Sequence, residues 1–235
     1  MKVSVILPTY CESGNIGDLM AAIEAALGGA LNESELVVVD DNSPDGTADA
    51  VREYAETSAM HVECHVRTAE RGLATAIKYG ITHSTGDLIV VMDTDFNHDP
   101  KMIPQMIHFL EYYDLVIGSR FVMGGGMEDS RRYYYSLYYN MFVRAMLRMQ
   151  VQDNLSGFFA IRRPGLLAMD LDKVFRGYGD YFIRMLYDAS KRKYRMLEVP
   201  IFYVLRRHGQ SKSRFMTMVR QYTACVLSLK FFGNK

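Results

Sequence analysis

The sequence predicts an α/β fold in which a Rossmann-like, mostly parallel sheet is covered by helices on both faces. Short runs that are apolar on both faces recur along the first half of the chain, and stretches with apolar residues at helical spacing separate them. Polar residues typical of turns also follow these apolar runs. Since ligands of such sheets bind at the carboxyl ends of the strands, the polar turns are predicted to form one site.

The composition fits a single large domain. The chain has 235 residues, 49% of them hydrophobic, which is enough for one substantial core. We expect one domain over residues 1–212 and an amphipathic tail over 213–235. Lysine plus arginine and aspartate plus glutamate number 27 each, so the net charge gives no argument for a nucleic-acid partner. The three cysteines, Cys11, Cys64 and Cys225, are odd in number and lack metal-type spacing, which favours reduced thiols in the cytosol.

The first strand is predicted at residues 3–7, an apolar run too short to be a signal peptide. After a polar turn, apolar residues at helical spacing predict a helix over 16–27, which Gly28 would end. The second strand is predicted at 36–39. Its turn, 40–47, begins with two aspartates and precedes another helical stretch.

A third, weaker strand at 61–66 and a helix after Gly72 lead to the fourth strand, an apolar run over 88–92. This run ends in Asp93 and Asp95, whose side chains point to the same side of an extended backbone. Such a pair can bind Mg²⁺ or Mn²⁺, whose remaining ligands would be water and the oxygens of a diphosphate. The alternative is that both carboxylates only end a strand and begin a turn.

Further polar residues follow this pair. Asn97, another step of two along the chain, would add a neutral oxygen ligand to the same metal. Asp99 and Pro100 precede apolar residues at helical spacing, a pattern typical of a helix N-cap, so we interpret Asp99 as structural. The fifth strand, predicted at 115–118, is followed by a serine and Arg120.

The second half of the chain is rich in aromatic residues. Helical stretches over 133–151 and 214–232 carry tyrosine, methionine, leucine and phenylalanine interspersed with basic residues. Such stripes usually pack in a core, but aromatic residues mixed with cations are also typical of helices that lie in a membrane surface. Both interpretations stay open for these stretches. No apolar run reaches the roughly 18 residues that a membrane-spanning helix needs.

Six motifs, in order along nearly the whole chain, carry a resemblance to a known family. They are Leu7-Pro8-Thr9-Tyr10-x-Glu12, Val39-Asp40-Asp41-Asn42-Ser43-Pro44-Asp45-Gly46-Thr47, Met92-Asp93-x-Asp95, Gly118-Ser119-Arg120-Phe121, Ser156-Gly157-Phe158-Phe159-Ala160 and Arg206-x-x-Gly209-x-Ser211-Lys212. The sequence resembles the family 2 glycosyltransferases with the GT-A fold, and within them the dolichyl-phosphate mannosyltransferases and polyprenyl-phosphate glycosyltransferases. Each motif is weak alone, and together they are specific.

The resemblance implies roles for individual residues. The positions that match the family's contacts to the base and ribose are Pro8, Tyr10, Glu12, Val39 and Asp41. The positions that match its metal and diphosphate site are Asp93, Thr94 and Asp95, with Asn97 where the family usually has glutamine. The cations that would bind the phosphates of donor and acceptor are Arg120, Arg132, Arg206 and Lys212, and Ser136 lies one turn beyond Arg132. Of all these, Asp95, Arg120 and Arg132 are the predicted catalytic residues.

The implied activity is the transfer of a hexose, mannose or glucose, with inversion, from GDP-mannose or UDP-glucose to a polyprenyl or dolichyl phosphate. Mg²⁺ or Mn²⁺ would be the cofactor, and it would neutralise the departing diphosphate together with the arginines. A lipid phosphate needs no general base because it is largely dianionic at neutral pH. The resemblance places such an enzyme in the cytoplasm, peripherally at the cytoplasmic face of the membrane, bound to the membrane surface directly or through a membrane-anchoring partner.

Two other functions stay open. Segment 177–184 carries Asp180 and Arg184 where the mannosyltransferases have an apolar helix with a glutamate, so Asp180 would be the base of a transferase that adds sugar to a glycan hydroxyl. A nucleotide-sugar-binding scaffold without turnover is the second, although a scaffold has no use for leaving-group stabilisation. A sugar nucleotidyltransferase would carry a glycine-rich, basic loop after the first strand, whereas residues 8–15 contain one glycine and no lysine or arginine.

Overall fold

The structure, a computed structural model, describes residues 1–204 and 215–233. The strands within these ranges are β1 (Val3–Thr9), β2 (Ser34–Asp40), β3 (His61–Val66), β4 (Leu88–Val91), β5 (Leu115–Ser119), β6 (Gly126–Met127), β7 (Phe159–Arg162), β8 (Met196–Pro200) and β9 (Phe202–Tyr203). The α-helices are α1 (Ile16–Leu27), α2 (Thr47–Thr57), α3 (Leu73–His83), α4 (Ile103–Phe109), α5 (Ser130–Leu147), α6 (Arg163–Leu167), α7 (Leu171–Val174), α8 (Tyr181–Lys191) and α9 (Phe215–Phe232).

Over the described ranges, seven strands form the main sheet in the order β3-β2-β1-β4-β7-β5-β8. The pairs β1–β2, β2–β3, β1–β4 and β5–β8 are parallel, which confirms the predicted mostly parallel sheet. The sequence patterns predicted no strand at β7, which is antiparallel to both β4 and β5. Because β7 runs the opposite way, the Ser156–Gly157 turn before it lies at the carboxyl edge of its two neighbours. The short strands β6 and β9 form a separate parallel pair.

Successive residues of the central strands are buried on opposite faces of the sheet, as the period of two requires. In β1, Val5 and Leu7 belong to the apolar cluster that includes residues of α1 and α4. Ile6 belongs to the other cluster, with residues of α3, α5, α8 and α9. Helices therefore cover both faces, as predicted, and the strands' carboxyl ends stay accessible only along one edge of the layers.

Two helix boundaries follow the sequence signals. Helix α1 ends at Gly28, whose φ of +47° lies in the left-handed region that favours glycine. The side chain of Asp99 accepts a hydrogen bond from the backbone N–H of Lys101 at 3.0 Å, with Pro100 at the first helical position. A short 3-10 turn separates this cap from α4. The structural role expected for Asp99 is therefore confirmed.

The two aromatic stretches form α5 and α9, which pack against each other. Helix α5 ends before the predicted position because Arg148 has a left-handed φ of +55°, and Val151 is buried in the loop beyond. Helix α9 places Val226 and Leu229 in the main core. The predicted domain boundary at residue 212 lies outside the described residues and stays a prediction. Of the described helices, none has the length and hydropathy needed to cross a bilayer.

Candidate active site

A cavity of about 1410 Å³ opens at the carboxyl edge of the sheet. It has a polar compartment at the ends of β1, β2, β4 and β5, and a tyrosine compartment between α5, the start of α8, and α9. The residues predicted from the sequence that line this cavity are Pro8, Tyr10, Glu12, Asp41, Asp93, Thr94, Asp95, Asn97, Arg120, Arg132 and Ser136. The fold therefore brings together residues that lie far apart in the sequence.

The carboxylates of the loop after β4 differ in exposure. The side chain of Asp93 is 41% exposed, whereas the whole residue Asp95 is only 4% exposed and therefore buried. Asn97 donates twice to Asp95, from its backbone N–H at 3.2 Å and from its side-chain amide at 2.8 Å. In this arrangement the side-chain nitrogen of Asn97 orients the Asp95 carboxylate. Direct ligation of a metal by its amide oxygen stays a prediction.

His98, which the sequence patterns did not mark as a site residue, holds the same loop through a hydrogen bond to its backbone. Its imidazole is fully buried, stacked on Phe158 with 4.9 Å between ring centroids. Nδ1 accepts the backbone N–H of Asp93 at 2.9 Å, and Nε2 lies 2.7 Å from the hydroxyl of Tyr203. Burial lowers the pKa of His98 to about 4, so the ring is neutral at physiological pH. The position of this histidine, three residues after Asp95, was the one feature of the sequence that could have identified it as part of the site.

The loops that follow β1 and β2 are fastened to each other. Register places Thr9 opposite Asp40, and the threonine hydroxyl donates to the buried carboxylate at 3.0 Å. Asp40 also accepts the backbone N–H of Ser43 at 2.8 Å. The serine hydroxyl oxygen in turn accepts the backbone N–H of Cys11 at 2.8 Å. These bonds position the loop that carries Tyr10 at the mouth of the cavity.

Asp41 lines the cavity, but both of its carboxylate oxygens already have protein partners. Nε of Arg67 donates to Oδ1 at 2.8 Å, and the backbone N–H of Gly72 donates to Oδ2 at 2.7 Å. Any hydrogen bond from a nucleotide must therefore share these oxygens. Val39 departs from the expectation: its side chain is buried in the core on the α3 face and does not line the cavity. The strict alternation of β2 turns it away from its neighbour Asp40.

Arg120 is held at the floor of the cavity by Asp153, a residue that the sequence analysis did not select. Nε and Nη2 of the arginine each lie 2.7 Å from a carboxylate oxygen. Burial alone would lower the pKa of Arg120, but the negative charge of Asp153 outweighs it and raises the pKa above its ordinary value. The guanidinium also lies over the ring of Tyr203, with Cζ 4.6 Å from the centroid. The arginine therefore remains charged and fixed in place.

Two further arginines lie at the rim. Arg132, in the first turn of α5, is exposed and lines the cavity together with Ser136. Arg71, which the sequence analysis did not single out, lies across the mouth with Cζ 5.3 Å from the ring centroid of Tyr10. The two other predicted cations, Arg206 and Lys212, lie outside the described residues.

The tyrosine compartment is apolar with hydroxyl groups at its surface. Its lining residues are Tyr135, Tyr138, Tyr139, Phe142, Leu155, Tyr178, Tyr181, Phe182, Met218, Val219, Tyr222 and Thr223. Burial raises the pKa of Tyr181 and of Tyr222 well above the ordinary value, so both hydroxyls stay neutral. Such a wall suits an elongated apolar ligand better than a sugar, which needs many directed hydrogen bonds.

Asp180 does not line the cavity, contrary to what a catalytic base requires. Its carboxylate pairs with Nη1 of Arg184 at 2.5 Å and accepts the backbone N–H of Tyr178 at 2.8 Å. It also stands at the N-terminus of α8, where a negative charge is favourable. These contacts identify Asp180 as a structural residue of the turn that begins α8.

Comparison with known proteins gives a consistent picture. The family model described as glycosyl transferase family 2 matches residues 4–167. A dolichol-phosphate mannosyltransferase of Pyrococcus furiosus is 35% identical over 240 residues, which cover 100% of this chain and 65% of that protein. An undecaprenyl-phosphate mannosyltransferase of Micrococcus luteus is 36% identical over 90% of this chain and 87% of its own length. The chain thus spans less than two thirds of the archaeal relative.

Solved structures bear on the fold. Crystal structures of glucosyl-3-phosphoglycerate synthase from Mycobacterium tuberculosis superpose on this chain at 21% sequence identity. The complex with Mn²⁺, UDP and phosphoglyceric acid has a TM-score of 0.71 and covers 98% of this chain and 78% of that one. The complex with Mn²⁺, UDP and glucosyl-3-phosphoglycerate has a TM-score of 0.70. The expected GT-A architecture is confirmed.

Proposed function

Because this chain belongs to glycosyl transferase family 2, we propose that it transfers a hexose from a nucleoside diphosphate sugar to a polyprenyl phosphate, with inversion at the anomeric carbon. The single observation that carries this proposal is the continuity of the cavity. Carboxylates and arginines suited to a diphosphate line one compartment, and an apolar, tyrosine-rich compartment adjoins it. The two named relatives, both polyprenyl-phosphate mannosyltransferases, support mannose as the sugar.

The loop after β4 fits a divalent cation that is shared with a ligand. Asp93 and Asp95 offer the hard oxygen donors that Mg²⁺ and Mn²⁺ prefer. Among the described residues, no group of three or more acidic, histidine or cysteine side chains is placed to hold a metal. Two carboxylates alone leave most of the coordination shell to water and diphosphate oxygens, as is usual for Mg²⁺ at phosphate sites. When bound, the ion would neutralise part of the charge on the departing diphosphate.

The chain's own cations would act on the phosphates. Arg120, fixed by Asp153, faces the polar compartment, and Arg132 reaches the cavity from α5 on the tyrosine side. We assign Arg120 to the diphosphate. We assign Arg132 and Ser136 to the acceptor phosphate because both lie on α5, which forms a wall of the tyrosine compartment. Arg206 and Lys212 would add positive charge from the segment outside the described residues. In this scheme the acceptor phosphate oxygen bonds the anomeric carbon as the bond to the diphosphate breaks.

The tyrosine compartment would hold the first units of the lipid chain. Its walls come from α5, α8 and α9, and two of these helices, α5 and α9, also carry exposed apolar side chains. These are Tyr134, Tyr135, Tyr138 and Met141 on α5, and Met216, Leu227, Phe231 and Phe232 on α9. Aromatic and apolar residues among basic ones favour contact with lipid headgroups. We therefore propose peripheral attachment at the cytoplasmic face of a membrane, with the compartment open towards the lipid.

A radiolabelled transfer assay tests the proposal. Purified protein, GDP-mannose or UDP-glucose, a polyprenyl phosphate in detergent and Mn²⁺ should yield a lipid-linked sugar, and chelation with EDTA should abolish the product. Asp95→Asn should reduce the rate by about a hundredfold or more, because it removes a charged ligand of the proposed ion. Binding of nucleotide sugar with no product, whatever the acceptor, would favour the non-catalytic scaffold. Product formation that is insensitive to EDTA would refute the metal site.

A further inference from the structure

Tyr203, the second residue of β9, lies buried where three parts of the site meet. Its hydroxyl is 2.7 Å from Nε2 of His98 and 2.9 Å from the carbonyl oxygen of Ser156. Its ring lies under the guanidinium of Arg120, with Cζ 4.6 Å from the ring centroid. One side chain thus contacts the loop after β4, the loop before β7 and the arginine that follows β5.

The hydrogen bonds at this junction run in one direction. The backbone N–H of Asp93 donates to Nδ1 of His98, which places the imidazole proton on Nε2. Nε2–H then donates to the hydroxyl oxygen of Tyr203, and the hydroxyl hydrogen donates to the carbonyl of Ser156. Every donor and acceptor in this buried series of hydrogen bonds has a partner. The series begins at the backbone N–H of Asp93, a proposed metal ligand.

We propose that Tyr203 is a positioning residue that fixes the loop of Asp93 relative to the guanidinium of Arg120. This role rests on the proposed function, in which both groups hold one diphosphate. The hydroxyl of Tyr203 acts on the carboxylate loop through His98, and the ring supports the arginine directly. Since a misplacement of about 1 Å can cost about a hundredfold in rate, a rigid link between the two groups matters for transfer.

The hydroxyl of Tyr203 holds His98 through a hydrogen bond, which packing of the ring alone cannot replace. Phenylalanine at position 203 would keep the ring under Arg120 but would remove the nearer of the two acceptors of the Nε2 proton. The next acceptor, the carbonyl oxygen of Ser156, lies 3.2 Å from Nε2. The imidazole of His98 would turn towards it, because this more distant oxygen would then be the sole acceptor of the buried N–H and a shorter hydrogen bond would be favoured. That rotation displaces Nδ1, and with it the backbone of Asp93.

The test compares Tyr203→Phe with Tyr194→Phe. The hydroxyl of Tyr194 also donates to a backbone carbonyl, that of Gly165, at 2.8 Å, but Tyr194, unlike Tyr203, does not line the cavity. Mn²⁺ is titrated in the presence of nucleoside diphosphate and followed by electron paramagnetic resonance. We expect Tyr203→Phe to raise the Kd of Mn²⁺ about tenfold and to lower kcat with little change in the KM of the acceptor. Tyr194→Phe should leave both quantities unchanged, and equal effects in the two variants would overturn the proposal.

A double variant separates the proposed link from a general loss of stability. Asparagine at position 98 can still accept the N–H of Asp93 through its side-chain oxygen, but it cannot reach Tyr203. If the hydroxyl acts through His98, His98→Asn combined with Tyr203→Phe should bind Mn²⁺ no more weakly than His98→Asn alone. If the losses of Mn²⁺ affinity in the two single variants add up in the double variant, the proposal is overturned. If Tyr203→Phe does not fold, an unchanged Kd of Mn²⁺ in His98→Asn would overturn it. Wild-type protein that binds no Mn²⁺ with any nucleoside diphosphate would refute the proposed function itself.

Discussion

Arg120 and Asp153 form a bidentate ion pair with side-chain exposures of only 6% and 0%. Because Asp153→Ala would leave a buried guanidinium without its counter-charge, we expect the free energy of unfolding to fall by about 3–5 kcal/mol. Urea unfolding followed by circular dichroism measures this change. Asp49→Ala is the matched control, because its pair with Arg52 is exposed and should be worth less than about 1 kcal/mol. Similar losses in the two variants would contradict the buried pair.

Glu35 should make the stability of the protein sensitive to acid. Burial alone would raise its pKa, but hydrogen bonds from Lys2, Ser4 and Thr85 outweigh burial and lower the pKa from 4.5 to about 2. The unfolded chain therefore takes up this proton at a higher pH than the folded chain. The stabilisation is complete above about pH 4.5 and is lost as the pH falls towards 2.

The measurement is the urea midpoint as a function of pH, for the wild type and for Glu35→Gln. The variant cannot titrate at this position, so its midpoint should fall less steeply between pH 4.5 and 2 than that of the wild type. Glu53→Gln serves as the control, since Glu53 is exposed on α2 and should keep the wild-type slope. Identical slopes for the wild type and Glu35→Gln would contradict the assignment.

Asp180→Asn should leave transfer to a lipid phosphate largely intact. The carboxylate is bonded to Arg184 and does not line the cavity, so its loss should lower the thermal midpoint but reduce the rate by less than about tenfold. Loss of a general base would instead cost about a hundredfold to ten-thousandfold. Initial rates are measured well below the thermal midpoint, with the folded fraction checked by circular dichroism. A loss of the larger size would favour a glycan hydroxyl as acceptor.

Membrane attachment should depend on the outer face of α5. Replacing Tyr134 and Met141 together by serine removes apolar surface that would be buried in the headgroup region, and should weaken binding to anionic phospholipid vesicles by about tenfold. Vesicle sedimentation measures the bound fraction. Tyr112→Ser is the control: Tyr112 is 59% exposed, close to the 55% of Tyr134, but lies in the turn before β5 at the opposite edge of the sheet. Equal losses for both faces would argue against a specific docking surface.

Much of this site could be predicted because its parts follow local rules. Each of the first strands is an apolar run, and parallel strands bring their carboxyl ends to one edge, so Tyr10, Asp41, Asp93 and Arg120 had to lie near one another. The cap at Asp99 and the end of α1 were readable for the same reason, since each depends on only a few neighbouring residues.

The residues that hold the site in place could not be predicted from local sequence patterns. Arg67 meets Asp41, Asp153 meets Arg120 and Tyr203 meets His98 only after distant segments have packed together. No spacing in the sequence marks such pairs, because their partners are chosen by tertiary structure. Likewise, nothing in the local pattern of β7 distinguishes an antiparallel strand from a parallel one, since both are short apolar runs.

The position of β7 between β4 and β5 also constrains the order in which the chain can fold. Strands β4 and β5 precede β7 in the sequence and run in the same direction. They must nevertheless stay unpaired with each other until β7 is in place between them. If β4 and β5 paired with each other before β7 arrived, a mispaired intermediate would form. An unpaired strand edge in this intermediate would be exposed to other molecules. Refolding from denaturant should therefore succeed best in dilute solution, where such an intermediate has time to reopen before it meets a second copy.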